Sequence, residues 1–311
     1  MRTLCIEKEN TMTQSSSLTF GRLIPAMVTP FDQDKNVDFK RAVELGHRLL
    51  EGGSDCLMIA ATTGESPNIS TEDKVRLFEL MKNECGGEAP IVANVGSYNT
   101  EASIDLAKRA EQVGVDGLMT VVPYYNKPPQ EGMYQHFKAI AESVDLPIIL
   151  YNIPGRCGVN MLAETTLRLA RDCKNIIGVK EASGDLDQIK QIIDGAPEGF
   201  VVYSGDDALT YDVMKLGGVG VISTTANVLP ARMKEIVELC AAGDWDSAWA
   251  AHEALLPIMK QLFATSNPIL VKQALASLGF PVGGVKLPLV DATAEQTREL
   301  EEVLRKVGAL Q

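Results

Sequence analysis

In Asn175–Asp185, NIIGVKEASGD, three aliphatic residues run up to Lys180 and a small polar turn follows. This pattern predicts a buried parallel strand that carries one ammonium into an interior before the chain turns outward. An isolated buried charge is costly, so such a lysine is paired, neutral or chemically engaged. A lysine that snorkels to water from a strand end is the other possibility this segment leaves open. A neutral lysine can attack a keto group and form an imine, which acts as an electron sink. Free lysine has a pKa of ~10.4, so about one in 2,500 is neutral at pH 7. Bringing that pKa to ~7 takes roughly 4–5 kcal/mol of destabilisation of the cation, of the sign a hydrophobic interior supplies.

From Gly21 onward, strand-like runs alternate with amphipathic helical stretches. The strand candidates are Leu23–Val28, Cys56–Ala61, Ile91–Val95, Gly117–Val122, Ile148–Asn152, Ile176–Lys180, Val201–Ser204 and Val219–Ser223. Helical periodicity falls between them, as in Phe39–Glu51, Thr71–Asn83 and Leu162–Asp172. Strand–helix alternation implies right-handed βαβ units and a parallel sheet. Eight such units predict an α/β fold, a closed (β/α)8 TIM barrel. EGGSDCLMIAATTGES, QVGVDGLMTVVPYYN and KLGGVGVISTTANVL repeat one plan of helix-ending glycine, turn, strand and small or hydroxyl residues, which favours a barrel over two domains. The segments Pro230–Ala242, Ala248–Phe263, Pro268–Leu278 and Ala294–Val307 are helical without intervening strands. The expected organisation is therefore an N-terminal extension over 1–20, loosely ordered and without a secretory h-region, a barrel over 21–242, and a helical appendage over 243–311.

Function in such barrels collects at the C-terminal strand ends. These ends carry Thr62-Thr63-Gly64-Glu65-Ser66, Pro123-Tyr124-Tyr125-Asn126, Tyr151 to Arg156, Lys180, Ser204 to Asp207 and Ser223 to Asn227. They bring together one lysine, one arginine, phenols and hydroxyls, with neither a histidine nor a Cys–His pair, which disfavours a serine or cysteine hydrolase. Imine chemistry needs proton transfers, and Tyr151 and Tyr125 are the candidate relays, helped by the hydroxyls of Thr62 and Thr63. Arg156 could repel the lysine cation. Asp206 and Asp207 would repel a phosphate, and one of them caps the next helix. Taken singly, each residue has a bland reading: a turn, a packed aromatic, a solvated loop charge. Their convergence on one barrel mouth is what argues for a site.

Composition excludes other classes. The net charge of −12 argues against a nucleic-acid surface or an anionic-membrane binder. No apolar run is long enough to cross a bilayer. The six cysteines are scattered without a C-x-x-C pair, as expected of reduced thiols in a cytoplasmic protein. The three histidines lack ligand spacing, so no metal site is expected.

The motifs TTGES (Thr62–Ser66), PYYNKP (Pro123–Pro128), YNIPGR (Tyr151–Arg156), GVKEASGD (Gly178–Asp185), SGDD (Ser204–Asp207), GVISTTAN (Gly220–Asn227) and NPILVK (Asn267–Lys272) form a specific set. From about Gly21 to its end the chain resembles the dihydrodipicolinate synthase family, within the pyruvate-dependent class I aldolase-like superfamily. The resemblance implies a lyase that condenses pyruvate with L-aspartate 4-semialdehyde through a lysine Schiff base, in the diaminopimelate route to lysine, without metal or organic cofactor. It implies that Lys180 holds pyruvate, that Tyr151 gives and takes protons, and that Thr62 and Tyr125 are relay partners, the latter reaching in from a neighbouring subunit. It also implies a pyruvate-carboxylate contact at Thr63, pyruvate-site contacts at Gly205 and Ile222, and semialdehyde-carboxylate binding by Arg156, whose fork suits a carboxylate. Related sialic acid lyases and 2-keto-3-deoxy sugar acid aldolases share the lysine and tyrosine but typically lack that arginine. A sugar-acid retro-aldolase and a catalytically silent keto-acid-binding barrel are thus the alternatives. The implied assembly is a homotetramer, a dimer of dimers. Cys157 and Leu270 stand where the family often has threonine and proline.

Overall fold

The computed structural model describes residues 18–311. Eight short strands, β1 (Leu23–Pro25), β2 (Leu57–Ile59), β3 (Ile91–Asn94), β4 (Gly117–Val121), β5 (Ile148–Asn152), β6 (Ile176–Glu181), β7 (Val201–Ser204) and β8 (Gly220–Ser223), lie where the hydrophobic runs predict them. All are parallel, in the order β1-β8-β7-β6-β5-β4-β3-β2. A single parallel bridge, Ala26 to Met58, spans the remaining seam between β1 and β2. The expected (β/α)8 barrel is the observed architecture. β1 is shorter than its apolar run because Val28 leaves the ladder and donates its N–H to Asn227 Oδ1 at 3.0 Å. Of the extension expected over 1–20, residues 1–17 lie outside the described residues, whereas Phe20 is buried against Gly117.

The outer layer is α1 (Phe39–Glu51), α2 (Thr71–Cys85), α3 (Thr100–Val113), α4 (Gln130–Ala141), α5 (Pro154–Cys157), α6 (Ala163–Asp172), α7 (Leu186–Gly195), α8 (Thr210–Lys215) and α9 (Pro230–Ala242). Asp38, Ser70, Asn99 and Asp185 cap their helices by accepting first-turn N–H groups, as short polar side chains do. The single turn α5 is not visible in the periodicity, since four residues are too few to show a period. Pro154 at its first position and left-handed Gly158 after it define its ends. Three further helices follow, α10 (Trp245–Gln261), α11 (Ile269–Ser277) and α12 (Ala294–Lys306). None of the described helices is long and apolar enough to cross a membrane.

A register detail decides the interior. β5 and β6 start paired at Ile148 and Ile176, but Ile149 then pairs with Gly178, so Ile177 is an extra residue on β6. A one-residue shift exchanges the two faces of a strand. Because of this bulge Tyr151 pairs with Lys180; on the other side of β6, Lys180 pairs with Tyr203. Without it, Tyr151 would face Val179. Tyr203 fills the interior beside them, its hydroxyl donating to Gly21 O at 2.8 Å.

Candidate active site

Lys180 is 4% exposed, and its Nζ lies 4.4 Å from the ring centroid of Tyr151. It forms no ion pair among the described residues, so the snorkelling alternative does not apply. Burial lowers its pKa to about 8, opposed by the charge of Asp207, reinforced by Arg156 and opposed again by Asp206. At pH 7 roughly one amine in ten is then neutral, against about one in 2,500 in water. The value stays above 7 because the strand-7 aspartates favour the cation. Of that pair, Asp206 caps the following turn by accepting from Ala208 N at 2.9 Å. Asp207 does not cap: its Oδ2 accepts from Thr224 N, Thr225 N and Thr225 Oγ1 at 3.1, 2.7 and 2.8 Å. It thereby ties the β7 end to the β8 end.

Tyr151 is buried, and burial pushes its phenol up to about 12, partly offset by the Arg156 charge and a hydrogen bond with Thr62. Thr62 and Arg156, which both bear on the Tyr151 phenol, line a cavity of about 190 Å³ together with Ser66, Asn94, Tyr124 and Cys157. Burial pushes the Cys157 thiol up to about 11, so it stays a protonated wall residue. Thr63 lies behind Thr62, buried, its hydroxyl accepting from Asn267 Nδ2 at 2.8 Å and 3.4 Å from Thr224 Oγ1. Gly205 donates its N–H to Glu181 O at 2.7 Å, and a side chain there would place Cβ 2.6 Å from Ala182 Cβ. Only glycine permits that approach. Ile222 is buried on β8 opposite Ile24.

Tyr125 departs from this cluster. It is 88% exposed, in the left-handed region with φ 72°, and does not line its own chain's cavity. The loop holding it is braced by the edge contact of Tyr98 with Tyr124 at 5.4 Å and by Asn126 Nδ2 donating to Tyr98 O.

Two supports went unseen in the residue pattern. Glu181, the neighbour of Lys180, is buried and accepts from Asn152 Nδ2 at 3.0 Å, Ser183 N at 2.8 Å and Gln188 Nε2 at 3.3 Å. It therefore clamps β5 to β6 just behind Tyr151 and Lys180. Glu65 is buried in the left-handed region with φ 55° and pairs with buried Lys272 at 2.7 Å. Lys272 also donates to Gly284 O at 2.9 Å and sits over the Phe31 ring. The C-terminal helices are thus fastened to the turn that carries Thr62 and Thr63. Both ends of this pair stand in quoted motifs, TTGES and NPILVK, but no spacing rule joins positions 207 residues apart. Lys272→Met is expected to cost about 3–5 kcal/mol in denaturant unfolding, because it leaves a buried carboxylate without its cation. Adding Glu65→Gln should recover most of that loss.

Among the described residues no group of three or more His, Cys, Asp or Glu is placed to hold a metal ion. A closed parallel barrel with a buried, unpaired lysine and a neighbouring phenol at its strand ends defines a class: (β/α)8 proteins equipped for amine chemistry at the mouth. The relatives narrow the class. The family model for the dihydrodipicolinate synthetase family matches residues 19–307. A 4-hydroxy-tetrahydrodipicolinate synthase of Symbiobacterium thermophilum is 53% identical over 292 residues, 94% of this chain and 99% of the relative. That of Bacillus subtilis is 48% identical over 290 residues, 93% and 100% of the two chains. A crystal structure of DHDPS from Cyanidioschyzon merolae with lysine bound superposes with TM-score 0.92 at 42% identity, covering 94% of this chain and 99% of that one. The chain belongs to the dihydrodipicolinate synthetase family.

Proposed function

We propose that this chain is a lyase that condenses pyruvate with L-aspartate 4-semialdehyde, acting as a 4-hydroxy-tetrahydrodipicolinate synthase of diaminopimelate and lysine biosynthesis. The observation that carries the reading is the buried Lys180, without a counter-ion among the described residues and 4.4 Å from the Tyr151 ring. The neutral amine attacks the keto carbon of pyruvate. Tyr151, a phenol still protonated at neutral pH, gives its proton to the departing hydroxyl, and water leaves the imine. The phenolate then takes a proton from the pyruvate methyl, generating the enamine. The enamine carbon adds to the aldehyde of the second substrate, whose carboxylate Arg156 holds, and the aldehyde oxygen takes the proton that Tyr151 has just removed from the methyl. Attack of the substrate amine on the imine carbon closes the ring and frees Lys180.

In this reading Thr63, Gly205 and Ile222 hold pyruvate, and Thr62 links Tyr151 to a second phenol. That phenol is Tyr125 of another copy, which accounts for its exposure in a single chain. The assembly is at least a dimer, and a homotetramer is the expected state in a cytoplasmic enzyme. No step calls for a metal or an organic cofactor.

Reductive trapping with pyruvate and cyanoborohydride, followed by peptide mass spectrometry, tests the imine. An adduct on Lys180 is expected. Its rate should climb with pH and level off above about 8, where burial leaves the amine neutral. The sign follows from a lowered lysine pKa, since the reactive free base gains population as pH rises. Trapping that is absent, or already flat below pH 6, would remove the mechanism. A sugar-acid cleavage rate far above the condensation rate would overturn the substrate assignment.

A further inference from the structure

Asn94 ends β3 and is buried in the wall of the cavity that also holds Arg156, Thr62 and Ser66. Its amide has a fixed orientation. The Nδ2 donates to the carbonyl of Ala60 at 3.0 Å and lies 3.4 Å from Ser66 Oγ. A carbonyl can only accept, so the nitrogen must face Ala60 and the oxygen must face away from it. Ala60 itself is held at φ 53°, an unusual conformation for alanine that makes this carbonyl a fixed anchor. The Asn94 Oδ1 accepts no hydrogen bond among the described residues, and it is not one of their buried unpartnered oxygens. It is an acceptor open to the cavity.

Asn94 and Arg156 line the same cavity of about 190 Å³. Arg156 puts a cation in its lining, and the polar side chains contributed from the β2 and β3 ends, Asn94, Ser66 and Thr62, bring oxygens without a further charge. A zwitterionic amino acid side by side with this surface would find a fork for its carboxylate and an oxygen for its ammonium.

We propose that Asn94 is a specificity-determining residue that recognises the α-amino group of the second substrate through its Oδ1, in the same cavity where Arg156 holds the carboxylate. This rests on the proposed condensation and adds to it what selects an amino aldehyde over a plain one. It also places the amine where it is retained until ring closure. Ser66, within reach of the Asn94 amide, supplies a second oxygen on the same wall.

The test compares L-aspartate 4-semialdehyde with succinate semialdehyde, which lacks the amine. In the unaltered enzyme the KM for the amino aldehyde should be about tenfold or more below the inhibition constant of the desamino analogue, the span of one charge-assisted hydrogen bond. In Asn94→Ala that gap should close, by a rise in the KM for the amino aldehyde, with the analogue nearly unaffected. A purely structural role, holding Ala60 in place, would weaken both compounds equally and overturn the proposal. An unaltered enzyme that does not discriminate would also overturn it, and that measurement needs no variant. Failure of the condensation reading looks different: the unaltered enzyme would turn over neither aldehyde with pyruvate.

Discussion

Lys180→Met is expected to abolish trapping by pyruvate and cyanoborohydride and to lower kcat on the order of 10³-fold or more. That loss corresponds to about 4 kcal/mol of transition-state stabilisation at 1.36 kcal/mol per tenfold, the scale of losing a covalent nucleophile. The same variant should be more stable than its parent at neutral pH. The folded pKa of Lys180 is lowered to about 8 by burial, whereas the unfolded chain binds that proton up to pH ~10.4. Protonation is therefore penalised in the folded state. The penalty is fully present below pH 8, on the order of 3 kcal/mol, and fades as pH rises toward ~10. Methionine keeps the volume and removes the penalty. Unfolding in denaturant at pH 7 and pH 10 checks this: a clear gain at pH 7 should shrink at pH 10. A loss of stability at pH 7 would mean that the ammonium is structurally paired. A residual trapped adduct would mean that another amine does the chemistry.

Arg156→Ala has the second-largest expected effect and divides the reaction at a different point. Adduct formation with pyruvate should persist, while the KM for the semialdehyde rises on the order of 100-fold, the scale of a bidentate charged contact. The variant should also shift the pH midpoint of trapping upward. The Arg156 charge helps to push Lys180 down, so its removal lets the ammonium hold its proton to higher pH. Arg156→Lys keeps that charge and should leave the midpoint near its original place. It should not recover the semialdehyde KM, because an ammonium cannot reproduce the planar fork. Unchanged semialdehyde kinetics in Arg156→Ala would sink its assignment and reopen the sugar-acid reading. Loss of the adduct in this variant would instead give Arg156 a role in the pyruvate half of the reaction.

Much of this protein is legible in its residues because the forces involved are local. Eight β-branched or aliphatic runs separated by amphipathic stretches can only bury both faces of a parallel sheet by wrapping it in helices. A strand end is then also a site position, so Lys180, Tyr151, Thr62 and Arg156 can be singled out before any contact is known. Cap residues such as Asp38 and Ser70 act within one turn, and their helices begin at Phe39 and Thr71, where the periodicity predicts. The one-turn helix at Arg156 escaped because its four residues carry no period.

What pattern alone could not reach depends on contacts between distant segments. The motifs and the order of the strands determined the barrel and the residues at its mouth. The tertiary structure decided which of them meet. The extra residue Ile177 sets the β5–β6 register, and only that register turns Lys180 to the same side as Tyr151. Glu65 and Lys272 are 207 positions apart in sequence, and only packing of the C-terminal helices on the mouth makes them one ion pair. Asn94 reads in sequence as one more strand residue; the fixed Ala60 carbonyl is what turns its oxygen toward the cavity. Tyr125 is exposed and does not line its own chain's cavity, so folding of a single chain does not bring this expected partner to the others. Local propensity acts over a few residues, whereas register, burial of charge and the facing of a side chain are settled only when remote surfaces come into contact.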